Sequence, residues 1–356
     1  MTTTNFEKNE LEAMAEIDNS AVARAMLKKT GIQAVLDRED ITEVAVNQGG
    51  VILFEGKNGW EQIQAPECTY HNLKALANAL SVYSGLKLAF GDTNPIASVV
   101  LPDGERGQIL THPATESGTI PLTLRKPSKT RFTVDDYQNS GRFSRIQMAE
   151  AYQKGSIPEF MQQMKKCQKE GNYAEFFRIA AAHNMNTIAV GGTGSGKTTF
   201  AKAYADLVPF DHRIITIEDV HELSLPYHWN HLHLFFDTEY QKSGGISPKE
   251  LIKSAMRMKP DHIFLTELRG DETWNYFEAL NTGHNGSITS THANDCRATI
   301  PRLTTLVMQS EIGKVLGEQY IQKTLSSALD VICYFKHTYM TEILFEPEKK
   351  LEAMYG

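Results

Sequence analysis

No stretch of this 356-residue chain approaches the roughly 18 consecutive apolar residues that a membrane-spanning helix requires, so any association with a membrane has to run through a partner or a surface helix. Cysteine is scarce. The four present, Cys68, Cys167, Cys296 and Cys333, show no C-x-x-C spacing, which speaks against a zinc site or a disulfide framework and for reduced thiols in a cytoplasm. There is no surplus of positive charge: the formal net charge is -7, and no run of Lys and Arg is interleaved with aromatics. No global field therefore draws the chain to nucleic acid, and sequence-specific nucleic-acid binding is not expected. The first residues, MTTTNFEKNELEAMAEID, are acidic where a secretion signal would be basic and then apolar, so the protein is expected to stay in the compartment where it is made. Internal repeats and low-complexity tracts are also lacking. What remains is an ordinary globular composition, 41% hydrophobic and 22% charged, over a length for which two domains are the natural expectation.

One stretch is far from ordinary. VGGTGSGKTTF, Val190 to Phe200, places Gly191, four residues, then Gly196, Lys197 and Thr198 in the phosphate-loop pattern G-x-x-x-x-G-K-[ST]. The β-branched run NTIAV precedes it and TTFAKAYADLV, with helical spacing of apolar residues, follows, so strand, glycine loop and helix are all in place. Glycines let successive N–H groups converge on phosphate oxygens, and the helix start adds the positive end of its dipole. The phosphate-binding set is therefore Gly191, Gly192, Thr193, Gly194, Ser195, Gly196, Lys197, Thr198 and Thr199. Lys197 is expected at the β and γ phosphates of ATP, and the Thr198 hydroxyl on Mg²⁺.

From Ile41 the chain reads ITEVAVNQGGVILFEGKNGWEQIQ, runs broken by turn signals, then the helical YHNLKALANALSVYSGLKL, then two strands around a Ser-Gly turn in GERGQILTHPATESGTIPLTLRKP. This predicts a small α+β domain over residues 1–131. Residues 132–186 carry polar helical patterns without a strong strand and are expected to be a long linker. From 187 to 356, strand candidates NTIAV, RIITIED, HLHLFF, HIFLTEL, GSITSTH and VICYF alternate with helices such as SPKELIKSAMRMK and DETWNYFEALNTG, implying a mainly parallel α/β sheet covered on both faces. Ligand chemistry then collects at the carboxyl ends of the strands.

Several strands end in groups suited to phosphoryl transfer: Glu218 and Asp219 after RIITI; Glu267, Arg269 and Asp271 after HIFLT; His284 before and His292 after GSITST. Attack on a γ-phosphate needs a positioned water, a metal and donors to the moving group, which carboxylates and histidine supply. His231 and His233 share one strand face and could bind a metal, but no third ligand stands at suitable spacing, so packing is the preferred reading.

Together, GGTGSGKTT, ITIEDVHEL, MKPDHIFLTELRGDE and TGHNGSITSTHAN resemble the Walker A, Asp box, Walker B and His box of the type II/IV secretion ATPase superfamily, and LPDGERGQIL and LTLRKPS resemble segments of its VirB11 branch. The resemblance covers nearly the whole chain from Ile41. It implies a RecA-like C-terminal P-loop ATPase domain joined to the smaller N-terminal α+β domain, with ATP between the two. It also implies a homohexameric ring in the cytoplasm, peripheral to the inner membrane, working with other ATPases and membrane components of a type IV secretion or conjugation machine. By matching motifs it gives Glu218 a water-polarising role, Glu267 the Walker B role beside Mg²⁺, and His292 a γ-phosphate sensing role. Arg106 and Arg125 match nucleotide-contacting arginines of the N-terminal domain. One departure stands out: Thr266 occupies the position where a general Walker B strand carries Asp, leaving Thr198, Glu267 and waters to hold the metal. Which of Glu218 and Glu267 is the general base stays open. A pilus or type II secretion motor is the alternative within the superfamily; a nucleic-acid translocase and a non-hydrolysing scaffold are alternatives outside it.

Overall fold

A computed structural model of the chain describes residues 20–128, 131–148, 153–239 and 244–355. Contacts divide the chain into two compact units, Met1–Ser128 and Lys129–Gly356.

The first unit is built on a six-stranded antiparallel sheet. Its strands are β1 (Glu43–Val46), β2 (Val51–Gly56), β3 (Gly59–Gln64), β4 (Ile96–Val100), β5 (Arg106–Leu110) and β6 (Leu122–Arg125), in the order β3-β2-β1-β6-β5-β4. The helix Tyr70–Tyr83 starts where the Thr69 hydroxyl accepts from the Asn72 amide. Its Leu73, Leu76, Ala77 and Leu80 recur at i, i+3, i+4 and i+7, and this stripe is buried in one core with Val44, Ile52 and Leu122. β4, from PIASVV, was not among the expected strands, nor were the helices Ser20–Lys29 and Ile32–Leu36 that precede the sheet.

The second unit carries a seven-stranded sheet: β7 (Thr187–Gly191), β8 (Ile214–Glu218), β9 (His231–Phe235), β10 (His262–Leu265), β11 (Ile288–Thr291), β12 (Val331–Lys336) and β13 (Tyr339–Leu344), in the order β13-β12-β7-β11-β10-β8-β9. Every neighbouring pair is parallel except β12 and β13. β7, β8, β10 and β11 are buried along their whole length, as strands covered on both faces must be. The six parallel strands are the six expected ones; β13 is additional, an edge strand returning from β12. β7 lies between β11 and β12; the connection from β7 runs to β8 on one side and that from β11 runs across β7 to β12 on the other, which opens a crevice outside the carboxyl ends of the strands.

The expected linker, residues 132–186, needs correction in its second half. Helices Glu159–Glu170 and Tyr173–Ala182 bury Met161, Met164, Cys167, Phe176 and Phe177 in the same core as Ala189 of β7 and Tyr204. Apolar residues at helical spacing make this stretch part of the second unit rather than a connector. By contrast, the short helix Val134–Asn139 buries no residue. Among the described residues no helix is long and apolar enough to cross a membrane.

Candidate active site

β7 ends at Gly191 and a helix begins at Lys197, so the chain must turn back over the strand end within a few residues. Gly191 does so with φ 146°, and a Cβ there would lie 2.3 Å from the Phe335 carbonyl oxygen, a contact no side chain survives. Gly196 holds the helix N-cap in the left-handed region, φ 97°. The helix Lys197–Ala205 thus presents its unpaired first amides and the positive end of its dipole to a cleft of about 750 Å³ at the carboxyl ends of the strands. Thr193–Thr199 form one side of that cleft, and Asp219, Glu222, Glu267, Arg269 and His292 form the other.

Lys197 is only 8% exposed and donates to the carbonyls of Gly191 at 3.0 Å and Gly192 at 2.9 Å. Burial lowers its pKa; Glu267 opposes that shift and Arg269 adds to it. Glu267 lies two residues past the end of β10. Its Oε2 accepts from an Arg269 guanidinium nitrogen at 2.8 Å, and the other arm of Arg269 donates to Asp219 Oδ2, also at 2.8 Å. The hydrogen bond to Glu267 leads the effects that raise the Arg269 pKa further above its already high value. Glu267 Oε1 stands 3.0 Å from His292 Nε2 yet is buried without a hydrogen bond. The other ring nitrogen of His292, Nδ1, lies 2.9 Å from the Gly191 carbonyl oxygen. A carbonyl can only accept, so Nδ1 carries the proton.

These residues fit a hard divalent cation. An orphaned, buried carboxylate oxygen, the Thr198 hydroxyl and the Asp219 and Glu222 carboxylates share one cleft, and all are the oxygen donors Mg²⁺ prefers. Thr266 also borders the cleft, but its hydroxyl donates to the Ile217 carbonyl at 3.3 Å and belongs to the sheet.

Glu218 is not where the sequence reading needs it. Its side chain is fully buried, and both carboxylate oxygens are taken. Oε1 is 2.6 Å from the Thr216 hydroxyl and 3.2 Å from His233 Nδ1, while Oε2 accepts from the amides of Glu222 at 2.7 Å and Leu223 at 2.8 Å. Burial pushes its pKa up, but the bonds from His233, the Leu223 amide, Thr216 and the Glu222 amide together hold it below the ordinary carboxylate value. It does not border the cleft. Glu222, which sequence reasoning passed over, does, because the buried Glu218 anchors the turn that carries it there. His284 lies at the amino end of β11, opposite the cleft, with Nδ1 at 3.2 Å from the Pro260 carbonyl. In the first unit, Arg106 of β5 and Arg125 of β6 are direct cross-strand partners, both exposed, and Arg125 Nε is 3.6 Å from Glu43 Oε1.

Residues 158–336 match the family described as Type II/IV secretion system protein. The type IV secretion system protein VirB11 of Brucella abortus (strain 2308) is 37% identical over 345 residues, covering 94% of either chain. VirB11 of Bartonella quintana (strain Toulouse) is 34% identical over 368 residues, covering 96% of this chain and 98% of that protein. Among solved structures, the crystal structure of the VirB11 ATPase from the Brucella suis type IV secretion system, in complex with sulphate, is 36% identical with a TM-score of 0.84, covering 93% of this chain and all of that one.

Proposed function

Because this chain belongs to the VirB11 family of type IV secretion system ATPases, we propose that it is the Mg²⁺-dependent, ATP-hydrolysing motor of such a system. Its fold is that of the family, a smaller N-terminal α+β unit and a RecA-like ATPase unit. Six copies form the working ring, at the cytoplasmic side of the inner membrane, and drive pilus assembly and substrate translocation together with other ATPases and membrane components of the machine. The observation that carries this reading is that Lys197, Glu267, Arg269 and His292, from three different segments, meet on one cleft over the phosphate loop.

The division of labour follows from that meeting. The loop Gly191–Thr199 holds the phosphates through its amides, and Lys197 exchanges two neutral carbonyl acceptors for charged phosphate oxygens. Thr198, with Glu267 acting through water, would hold Mg²⁺, which neutralises charge on the β and γ phosphates. Glu267 takes the proton of the attacking water: Arg269 fixes one of its oxygens, and the other has no hydrogen bond to give up. His292, tied to the loop through Gly191, is placed to sense the γ-phosphate. Arg106 and Arg125 are the first unit's candidates for phosphate contact. Two like charges directly opposite each other on neighbouring strands repel, and an anion relieves the repulsion.

The test is ATP turnover by the full chain, measured together with its mass in solution, with Mg²⁺-ATP and with ATP in excess chelator. Mg²⁺-dependent phosphate release accompanied by a hexamer supports the proposal. A chain that stays monomeric and releases no phosphate in either condition contradicts it.

A further inference from the structure

Beside the nucleotide cleft, which His221 also lines, is a second cluster that the proposed reaction does not use. Thr216 and Glu218 alternate onto one face of β8. The parallel register sets His233 of β9 beside Thr216 and His231 beside Ile214, so both histidines line up with that same face. Three residues beyond Glu218, His221 returns from the loop, its ring centroid 4.4 Å from that of His233 in an edge-on arrangement. Glu218 Oε1 is 3.2 Å from His233 Nδ1 and 3.8 Å from His221 Nδ1, and one ligand atom from each of the three residues lies within 4.8 Å of the others.

We propose that Glu218, His221 and His233 form a binding site for a divalent transition-metal ion of the Zn²⁺ type. The separations suit one. Four ligands at Zn–N and Zn–O bonds of about 2.0–2.1 Å are spaced roughly 3.4 Å apart along the edges of a tetrahedron, and the two measured pairs bracket that value. Two imidazoles and one carboxylate are also the donor set that selects Zn²⁺, Ni²⁺ or Cu²⁺ over Mg²⁺, which prefers oxygen alone, so this site is distinct from the cation position beside the phosphate loop. Glu218 and His233 are buried, whereas the His221 side chain is 44% exposed, which gives the ion a way in.

A supporting shell is already present. The Thr216 hydroxyl lies between Glu218 Oε1, at 2.6 Å, and His233 Nδ1, at 2.7 Å. On binding, the His233 ring carries its proton on Nε2 so that the Nδ1 lone pair faces the ion, and Thr216 keeps its bond to the carboxylate, orienting it as second-shell groups do around metals. The ion then ties β8, β9 and the loop 219–222 together, and that loop carries Asp219, the partner of Arg269, and Glu222 into the cleft. Metal occupancy would in this way stiffen one wall of the nucleotide site. The inference stands whether or not the cleft hydrolyses ATP.

Co²⁺ is the probe. The full chain, stripped with chelator, is titrated with Co²⁺ and followed by the intense visible absorption of four-coordinate Co²⁺, with displacement by Zn²⁺ as the second readout. One equivalent per chain is expected, unaffected by excess Mg²⁺. His221→Ala, on the accessible side, and His233→Ala should each weaken uptake by more than the roughly 10- to 100-fold that loss of a supporting partner costs. No saturable uptake, or uptake that survives His221→Ala, overturns the proposal. So does uptake that Glu267→Gln removes and His221→Ala spares, since the ion would then lie in the nucleotide cleft.

Discussion

His292 and Glu267 meet at 3.0 Å, Nε2 to Oε1, while the other nitrogen of the same imidazole faces the Gly191 carbonyl at 2.9 Å. One ring thus connects the carboxylate after β10 to the first glycine of the phosphate loop, 76 residues earlier in the chain. The contact to Glu267 is close without being a hydrogen bond, so a nucleotide and its cation can separate the pair cheaply.

Lys197→Ala removes the ammonium that opens the helix behind the phosphate loop. Losing such a donor to a developing negative charge costs about 3 kcal/mol, or more than a hundredfold in turnover. Of its two carbonyl partners, Gly191 keeps its bond from His292 and Gly192 is exposed to water, so the melting temperature should change little. Phosphate release by the folded variant checks this, and a normal rate would falsify the reading of the loop.

Glu218→Gln is expected to act on stability. A carboxylate that accepts from two amides, a hydroxyl and a histidine is replaced by a group with one acceptor oxygen and an NH₂ facing donors. A loss of about 2–3 kcal/mol follows from one or two charge-assisted bonds left unmade. Chemical denaturation of the two proteins measures it directly. Unchanged stability together with abolished turnover would return Glu218 to the role of base.

Arg106→Ala removes one of two like charges that face each other across β5 and β6. Stability without nucleotide should stay the same or rise by about 0.2–1 kcal/mol, while ATP binding or turnover falls. Were the two arginines merely solvated surface residues, nucleotide affinity and rate would both be untouched.

His262 is nearly fully buried. Its Nδ1 faces the Asn285 carbonyl at 3.0 Å and therefore carries a proton, so the neutral ring accepts at Nε2 from His212 Nδ1 at 2.8 Å. Burial, reinforced by His212, pushes its pKa down to about 3. The folded state then binds fewer protons than the unfolded one between pH 6.5 and 3. Its contribution to stability is complete above 6.5 and is lost on acidification, by up to about 1.4 kcal/mol per pH unit. Denaturation midpoints between pH 7.5 and 4.5 should fall less steeply for His262→Gln than for the unaltered chain; parallel curves would contradict this.

The phosphate loop and the six parallel strands were legible because each rests on a local pattern: glycine spacing at Gly191 and Gly196, and β-branched runs bounded by turn residues. β13 was not, since its face is largely exposed and shows no apolar alternation, and the turn before it runs through His337 and Thr338 at positive φ with no glycine or asparagine to signal a hairpin. The helices Glu159–Glu170 and Tyr173–Ala182 have readable periodicity, but only the tertiary core shows that Met164 and Phe176 belong to the ATPase unit. At the site, Lys197, Thr198, Glu267 and His292 all border one cleft. The fate of Glu218 was hidden because it depends on Thr216 and His233, partners set by strand register, and the same register supplies His233 with the ligands that linear spacing denied it.

Glu267→Gln separates binding from chemistry most directly. Gln keeps the size of the side chain and can still face Arg269 with its carbonyl, but it cannot take a proton from water. Titration of a slowly hydrolysed ATP analogue and single-turnover phosphate release, run on one preparation in Mg²⁺, should show nucleotide still bound and hydrolysis reduced by about a hundredfold or more. Hydrolysis at the unaltered rate in a variant that binds nucleotide would contradict the assignment of Glu267, and with it the view that this cleft is where the chain turns over ATP.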